Sequence, residues 1–331
     1  MPIIVKTPLR ISLFGGGTDY KEYFEQHGGA VLGGTIDKFI YIICLPMSPV
    51  AETRYRLTYS RVEVVNSPAE IQHPVMREVL LDEQYDTPFN LAVISDIPGG
   101  SGLGSSSAFT VGFLNLIRNL KGQNPTKSDL ASGAVRVESE LLKERVGVQD
   151  QYHAAFGGFS LYEFGKENTS ISPIQMTTAL RDKLNASLVL VHTRRYRSAS
   201  TILEEQVRAT KSGSVDNDLK AIKVIAYQAR SVFQRKDPNA ALAEIGRMLS
   251  ESWQIKRSLS SSISSSDLDA IYQTGMKIGA YGGKLAGAGG GGFFIFLAEP
   301  DVIEKMRDTF GADSVVKVAF QDEGSRHSVS P

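Results

Sequence analysis

Residues 98 to 109 read PGGSGLGSSSAF, a stretch with four glycines, four serines and no charge. Such a run either joins two domains without ordering them or presents bare backbone N–H groups, the usual means of holding a phosphate. The flanks decide for the second. Upstream, FNLAVISDI (89 to 97) is apolar and rich in β-branched residues, a strand pattern. Downstream, Ala108, Val111, Leu114, Ile117 and Leu120 recur along one stripe of a helix, with Ser105, Ser106 and Ser107 placed as N-caps. Strand, glycine loop and helix N-terminus form one supersecondary unit around which the rest must fold.

Two familiar phosphate loops do not fit it. A Walker A loop ends in Gly-Lys-Ser/Thr, and here no lysine lies between Asn90 and Lys121. A dinucleotide fingerprint is G-x-G-x-x-G with an acid about 20 residues on; Gly100, Gly102 and Gly104 give G-x-G-x-G followed by serines. What remains is a lysine-free loop whose amides and helix dipole bind polyphosphate while serine hydroxyls reach a metal. Two more glycine clusters, FGGGTDY (14 to 20) and KLAGAGGGGFF (284 to 294), are further places where backbone and ligand can meet closely.

The chain is long enough for two domains, with 331 residues of which 42% are hydrophobic. Lys plus Arg and Asp plus Glu are both 36, so bulk charge points to neither nucleic acid nor an anionic membrane. The single cysteine, Cys44, lies in the apolar strand-like run FIYIICL and reads as a small buried hydrophobe. No apolar run approaches the ~20 residues of a membrane span, and Lys6 and Arg10 interrupt the N-terminus, so a cytoplasmic protein is expected.

Segments IIVKTPLRISLF, AVLGGTIDKFIYIICLPM, YRLTYSRVEVV and NLAVISDI read as strands too closely spaced for βαβ crossovers, which favours α+β over a doubly wound parallel sheet. Helices are expected over 105 to 121 and over 127 to 145, the second opening on a Thr126-x-x-Asp129 capping box. After a strand, ASLVLVHT, helices follow over about 200 to 212, 217 to 234, 238 to 259 and 267 to 280, the last capped at Ser266. The final SRHSVSP reads as a frayed tail.

Taken together, PGGSGLGSSSA, TPLRISLFGGGTDY and KLAGAGGGGFFIF resemble, in order and spacing, the three motifs of the GHMP kinase superfamily, which includes galactokinase, homoserine kinase and mevalonate kinase. The resemblance implies a two-domain α+β fold: a ribosomal-protein-S5-like N-terminal ATP- and substrate-binding domain over 1–178 and a ferredoxin-like domain over 179–331. It implies an enzyme using ATP and Mg²⁺ on a small molecule, and leaves room for a homodimer. By position, Pro98, Gly99, Gly100, Ser101, Gly102, Leu103, Gly104, Ser105, Ser106 and Ser107 are the nucleotide loop. Ser106 and Glu138, in VRVESELL, match the metal ligands. Asp150, in GVQDQYHAAFGG, matches the aspartate facing the reacting hydroxyl, and Arg10 the cation that would keep it ionised. These types suit phosphoryl transfer, which is mainly positioning and neutralisation of charge.

The substrate has to come from variable positions. Gly16 and Gly17 stand before Thr18 and Asp19 where galactokinases carry a Glu-His pair, so two side chains that would contact a hexose are missing and Asp19 remains as an acceptor for sugar hydroxyls. GGGTDY, HGGAVLGGTIDKFIYI and GAYGGKLAGAGGGGF are similar to the D-glycero-D-manno-heptose 7-phosphate kinases, which phosphorylate an anomeric hydroxyl. A substrate already phosphorylated at its far end needs a second anion site, for which Arg194, Arg195 and Arg197 of HTRRYRSAS are the candidates. Gly289 and Gly290 of the third cluster complete the expected substrate contacts. A free sugar such as fucose, and a non-catalytic regulator binding ATP or sugar, are the alternatives. His153 and Trp253 read as structural.

Overall fold

The computed structural model describes residues 1–195, 205 and 207–329. Its first sheet is built on two long antiparallel strands, β1 (Ile3–Phe14) and β2 (Gly29–Pro46), with helix α1 (Lys21–His27) between them. The two halves of β2 serve different neighbours: Ile40 to Pro46 pair with β5 (Phe89–Ser95), and Gly29 to Gly34 pair with β6 (Phe159–Phe164). The hairpin β3 (Tyr55–Thr58) and β4 (Val62–Val65) extends the sheet beyond β5, and β7 (Thr169–Pro173) extends it beyond β6. Among these strands only β3 and β5 run parallel, in keeping with an α+β chain.

Helix α2 (Pro74–Asp82) precedes β5, and helix α3 (Ser105–Leu120) follows the glycine loop. Every residue of α3 from Ser107 to Ile117 is buried, because the helix lies between β1 and β2 on one side and α4 (Lys127–Arg136) and α5 (Gln149–Phe156) on the other. Its apolar surface is therefore wider than the single stripe expected from the sequence. The capping box of α4 is present: Thr126 Oγ1 accepts from Asp129 N at 3.1 Å and Asp129 Oδ2 from Thr126 N at 2.9 Å. Beyond Arg136 the helix continues as one π-helical turn, Val137–Leu141, and stops short of residue 145.

The second sheet has the order β11–β8–β10–β9, all antiparallel, from β8 (Leu188–His192), β9 (Gly282–Leu285), β10 (Phe293–Leu297) and β11 (Val315–Lys317). Counted along the chain this is 4-1-3-2, the ferredoxin-like arrangement. Helix α6 (Thr178–Ser187) leads into it; α7 (Asp216–Val232), α8 (Pro238–Ser258) and α9 (Ser266–Ile278) separate β8 from β9, and α10 (Pro300–Phe310) separates β10 from β11. Trp253 of α8 is fully buried edge-on to Phe294, at 5.6 Å and 87°, so it is a core residue as expected.

Three local expectations are corrected. The N-cap of α3 is Gly104, in the left-handed region with no side-chain cap, so Ser105, Ser106 and Ser107 form the first turn itself. Helix α9 is capped by Ser265, whose side chain accepts from Leu268 N, one residue before the expected Ser266. Within the final segment residues 326–329 are not frayed: β12 (Arg326–Val329) pairs antiparallel with β1 through Ile3 to Lys6, returning the chain to the first sheet, and residues 330 and 331 lie outside the described residues. No helix among the described residues is long and apolar enough to cross a membrane.

Candidate active site

In the glycine loop Gly100, Gly102 and Gly104 have φ of 73°, 78° and 75°, while the residues between them, Ser101 and Leu103, are 2% and 0% exposed. Alternation of left-handed glycine with an anchored neighbour turns successive N–H groups toward one side, an anion-binding nest, at the positive end of α3. Gly100, Gly102, Gly104, Ser105, Ser106 and Ser107 line a cavity of about 720 Å³, whereas Pro98, Gly99, Ser101 and Leu103 do not line it. A Cβ on Gly102 would lie 2.8 Å from Ala286 O, so this glycine is also where the first and third glycine loops touch. Gly102→Ala is expected to weaken ATP binding at least tenfold by nucleotide titration, since a left-handed alanine costs roughly 1–2 kcal/mol before any displacement of residues 286 and 287.

Arg10 leaves β1 at a register irregularity between Pro8 and Arg10, a bulge of the kind that re-aims a side chain. It meets the carboxylate of Asp150 fork to fork: Nε donates to Oδ1 and Nη2 to Oδ2, both at 2.7 Å, and Nη1 donates to Gly102 O at 2.7 Å. The Arg10 side chain is 7% exposed and that of Asp150 22%, so the pair is held in the wall with the carboxylate reaching the cavity. One guanidinium thus ties the nucleotide loop to the residue expected to face the hydroxyl.

Glu138 sits on the π-helical turn and is 1% exposed. Its Oε2 accepts from Ser107 Oγ at 2.9 Å and from Gln151 Nε2 at 2.5 Å, but its Oε1 is buried with no partner. Burial pushes its carboxyl up to about 7, with the charge of Asp150 adding to the effect and the hydrogen bonds opposing it. An orphaned buried carboxylate oxygen on a residue lining the cavity, with the exposed Ser106 of α3 lining it too, fits a hard cation such as Mg²⁺. Among the described residues no group of three or more His, Cys, Asp or Glu forms a closed cage, so phosphate oxygens and water would complete such a cation's shell.

Gly16 and Gly17 line the cavity, and a Cβ on Gly16 would press on Ser12 Oγ at 3.3 Å and touch Gln149 Nε2 at 3.6 Å. Asp19 is 1% exposed and accepts from Gly17 N at 2.9 Å, Gln149 Nε2 at 2.9 Å and Gln149 N at 3.3 Å. It therefore ties the FGGGTDY loop to the first residue of α5, beside Asp150, and this positioning role was not visible in the sequence. Burial raises its carboxyl above the usual range, against the hydrogen bond from Gly17. Gly147 is the only type that fits next to it, since a Cβ there would stand 2.0 Å from Asp19 Oδ2.

Several expected substrate contacts are elsewhere. Thr18 is fully buried, its hydroxyl donating to Gly15 O at 2.8 Å and accepting from Ala30 N at 3.0 Å. Gly289 and Gly290 pack on Ile263, to whose carbonyl Gly290 N donates at 3.0 Å; it is Gly287 and Ala288 that line the cavity. Arg194 pairs with Asp313 at 3.0 Å and donates to Ser314 Oγ at 2.9 Å, Arg195 pairs with Asp267, and neither lines the cavity. Arg197 lies outside the described residues. Exposed ion pairs of this kind contribute little, so Arg194→Ala and Arg195→Ala are expected to leave KM for both substrates within about twofold in steady-state assays.

In their place the cavity wall carries Lys256 and Lys284, with Lys143 and Arg145 also contributing. Sequence reasoning missed these, although Lys284 opens the third glycine cluster. His153 stays structural: it is fully buried, Nδ1 lies 2.7 Å from Gln149 O, and burial lowers its pKa to about 4.

Residues 73–158 match the model of the GHMP kinases N terminal domain and residues 238–313 that of the GHMP kinases C terminal domain. The chain is 30% identical to the D-glycero-alpha-D-manno-heptose 7-phosphate kinase of Campylobacter jejuni, over 97% of each chain. It is 25% identical to the galactokinase of Pyrococcus furiosus, over 96% of this chain and 95% of that one. A crystal structure of a D-glycero-D-manno-heptose 1-phosphate kinase from Bacteroides thetaiotaomicron superposes with a TM-score of 0.79 at 23% identity, covering 99% of both chains. With both domain models matched and a 30% identical relative aligned along nearly its whole length, this chain belongs to the GHMP kinases, a family of ATP-dependent phosphotransferases.

Proposed function

We propose that this chain is a sugar kinase that transfers the γ-phosphoryl group of ATP to the anomeric hydroxyl of D-glycero-D-manno-heptose 7-phosphate. The product would be the 1,7-bisphosphate, a precursor for nucleotide-activated heptose and surface polysaccharide. The observation that carries the chemistry is the Arg10–Asp150 fork, which holds a carboxylate in the same cavity as the glycine nest. The resemblance to the heptose kinase of C. jejuni carries the sugar.

In this reading the N–H groups of residues 100 to 107 hold the nucleotide's phosphates. Asp150 accepts the proton of the substrate hydroxyl as its oxygen bonds to the γ-phosphorus and the bond from that phosphorus to the β–γ bridging oxygen breaks, with ADP leaving. Arg10 keeps the carboxylate oriented through two charge-assisted hydrogen bonds. Asp19 and Gln149 fix the start of α5, which sets where Asp150 stands. Ser106 and the free Oε1 of Glu138 would hold Mg²⁺, which when bound neutralises charge building on the transferring phosphoryl group.

A panel of free sugars, sugar 1-phosphates and sugar 7-phosphates, each offered with ATP and read by ADP release, tests the assignment. Preference for heptose 7-phosphate supports it. Turnover confined to free fucose, galactose or another unphosphorylated sugar would remove the heptose reading while leaving the kinase, and ligand binding without any transfer would favour a regulator.

A further inference from the structure

We propose that Lys256 and Lys284 form the subsite that holds the non-reacting phosphate of a terminally phosphorylated sugar, an inference that rests on the sugar-phosphate reading above. The arginines that the sequence offered for this phosphate are engaged with Asp313, Ser314 and Asp267 outside the cavity. These two lysines are inside it, 6% and 3% exposed, on α8 and β9 respectively.

Their hydrogen bonds go to backbone carbonyls. Lys256 Nζ donates to Gly287 O at 2.5 Å; Lys284 Nζ donates to Ser12 O at 3.0 Å and Leu13 O at 3.1 Å. An ammonium has three donors, so Lys256 keeps two N–H groups and Lys284 one for a ligand. Neither forms an ion pair with a carboxylate among the described residues, and burying two ammoniums on one wall is unfavourable even with the carboxylate of Asp19 acting on both from a distance. Burial accordingly lowers Lys256 to about 8 and Lys284 well below the ordinary lysine range, a deficit that a phosphate dianion would relieve.

The same wall presents two buried polar atoms with no partner, Ser12 Oγ and Gln149 Oε1, as a polyhydroxylated phosphate ester would require. The position favours the sugar over the nucleotide. Lys284 grips the carbonyls of residues 12 and 13, at the start of the glycine loop whose Gly16, Gly17 and Asp19 line the same cavity.

The test compares kcat/KM for D-glycero-D-manno-heptose 7-phosphate with that for the unphosphorylated heptose, in the wild type and in Lys256→Met, Lys284→Met and Lys256→Arg. The ratio of the two is independent of how much of each preparation is folded. The expected result is a fall in this ratio of roughly 30-fold or more in each Met variant, partial recovery in Lys256→Arg, and a KM for ATP within about threefold of wild type. A wild type that prefers the phosphorylated sugar, together with variants that keep that preference while losing kcat on both sugars or affinity for ATP, would overturn the lysine assignment and leave the function standing. A wild type that turns over only unphosphorylated sugars would overturn the function and the subsite with it.

Discussion

Asp150→Asn should lower kcat by roughly 10² to 10⁴ while leaving the affinity for ATP near that of the wild type, the range over which a positioned general base acts. The substitution preserves shape and one hydrogen bond to Arg10 but removes the charge that both Nε and Nη2 engage at 2.7 Å. It also leaves the guanidinium, in a 7% exposed side chain, without its counter-ion. Loss of one partner from a fully buried pair costs about 3–5 kcal/mol; with the carboxylate side chain at 22% exposure, roughly 1–3 kcal/mol is the better expectation here. Rapid-quench measurement of the phosphoryl-transfer step, with nucleotide binding followed separately, checks both parts. A kcat within tenfold of wild type would show that Asp150 only shapes the wall and that the proton leaves by another route.

Glu138→Gln is expected to have opposite effects on activity and on stability. Activity should fall by roughly 10² or more, as when one preorganised electrostatic group is removed from a transition state. The metal-free protein should nevertheless become more stable at neutral and alkaline pH. Burial raises the folded-state pKa of Glu138 to about 7 from an ordinary value of 4.5. Below pH 4.5 the carboxyl is protonated in both the folded and unfolded chain, and its neutral form carries no penalty. Between pH 4.5 and 7 the unfolded chain releases the proton first, so stability is lost across this window and stays low above it. The loss is on the order of 3 kcal/mol, and a neutral amide escapes it. Thermal melts in chelator at pH 4.5 and pH 8 should show the variant level with wild type at the first and several degrees above it at the second. Addition of Mg²⁺ and ATP at pH 8 should raise the wild-type midpoint more than that of Glu138→Gln. Equal melting behaviour at both pH values would mean that the buried carboxylate is satisfied by groups other than a cation.

These two residues also show what sequence reasoning could reach. Glu138 and Asp150 are isolated acids by themselves, one on a helix and one after a glycine, and only their place behind a lysine-free glycine loop singled them out. The loop was legible because its chemistry is local: three glycines at alternate positions can all take positive φ, and a strand and a helix flank them. The capping box at Thr126, the buried Cys44 and the structural Trp253 were legible for the same reason, each depending on near neighbours or on hydrophobicity alone.

The misses are of another kind. Arg194 and Arg195 have the right chemistry for phosphate, but they face Asp313 and Asp267, which are more than 70 residues away in the chain. Lys256 and Lys284 looked like ordinary residues of a helix and a strand, and enter the cavity because α8, packed on β9, also meets β1, and Lys284 reaches the carbonyls of Ser12 and Leu13 on that strand. Asp19 reads from the sequence as a sugar ligand; it does line the cavity, but that it also accepts twice from Gln149 is seen only in the fold. The π-helical turn that presents Glu138 and the return of β12 to β1 have no signature in the sequence at all.

By itself, then, the sequence determined the family and pointed to the glycine loop and to the acids expected around it, because backbone conformation at glycine and the order of short motifs are properties of the chain read locally. Which cations line the cavity, and which carboxylate pairs with Arg10 and which with Gln149, was decided only by the tertiary structure, because a charge acts over a few ångströms of space and those neighbours are set by packing between segments hundreds of residues apart.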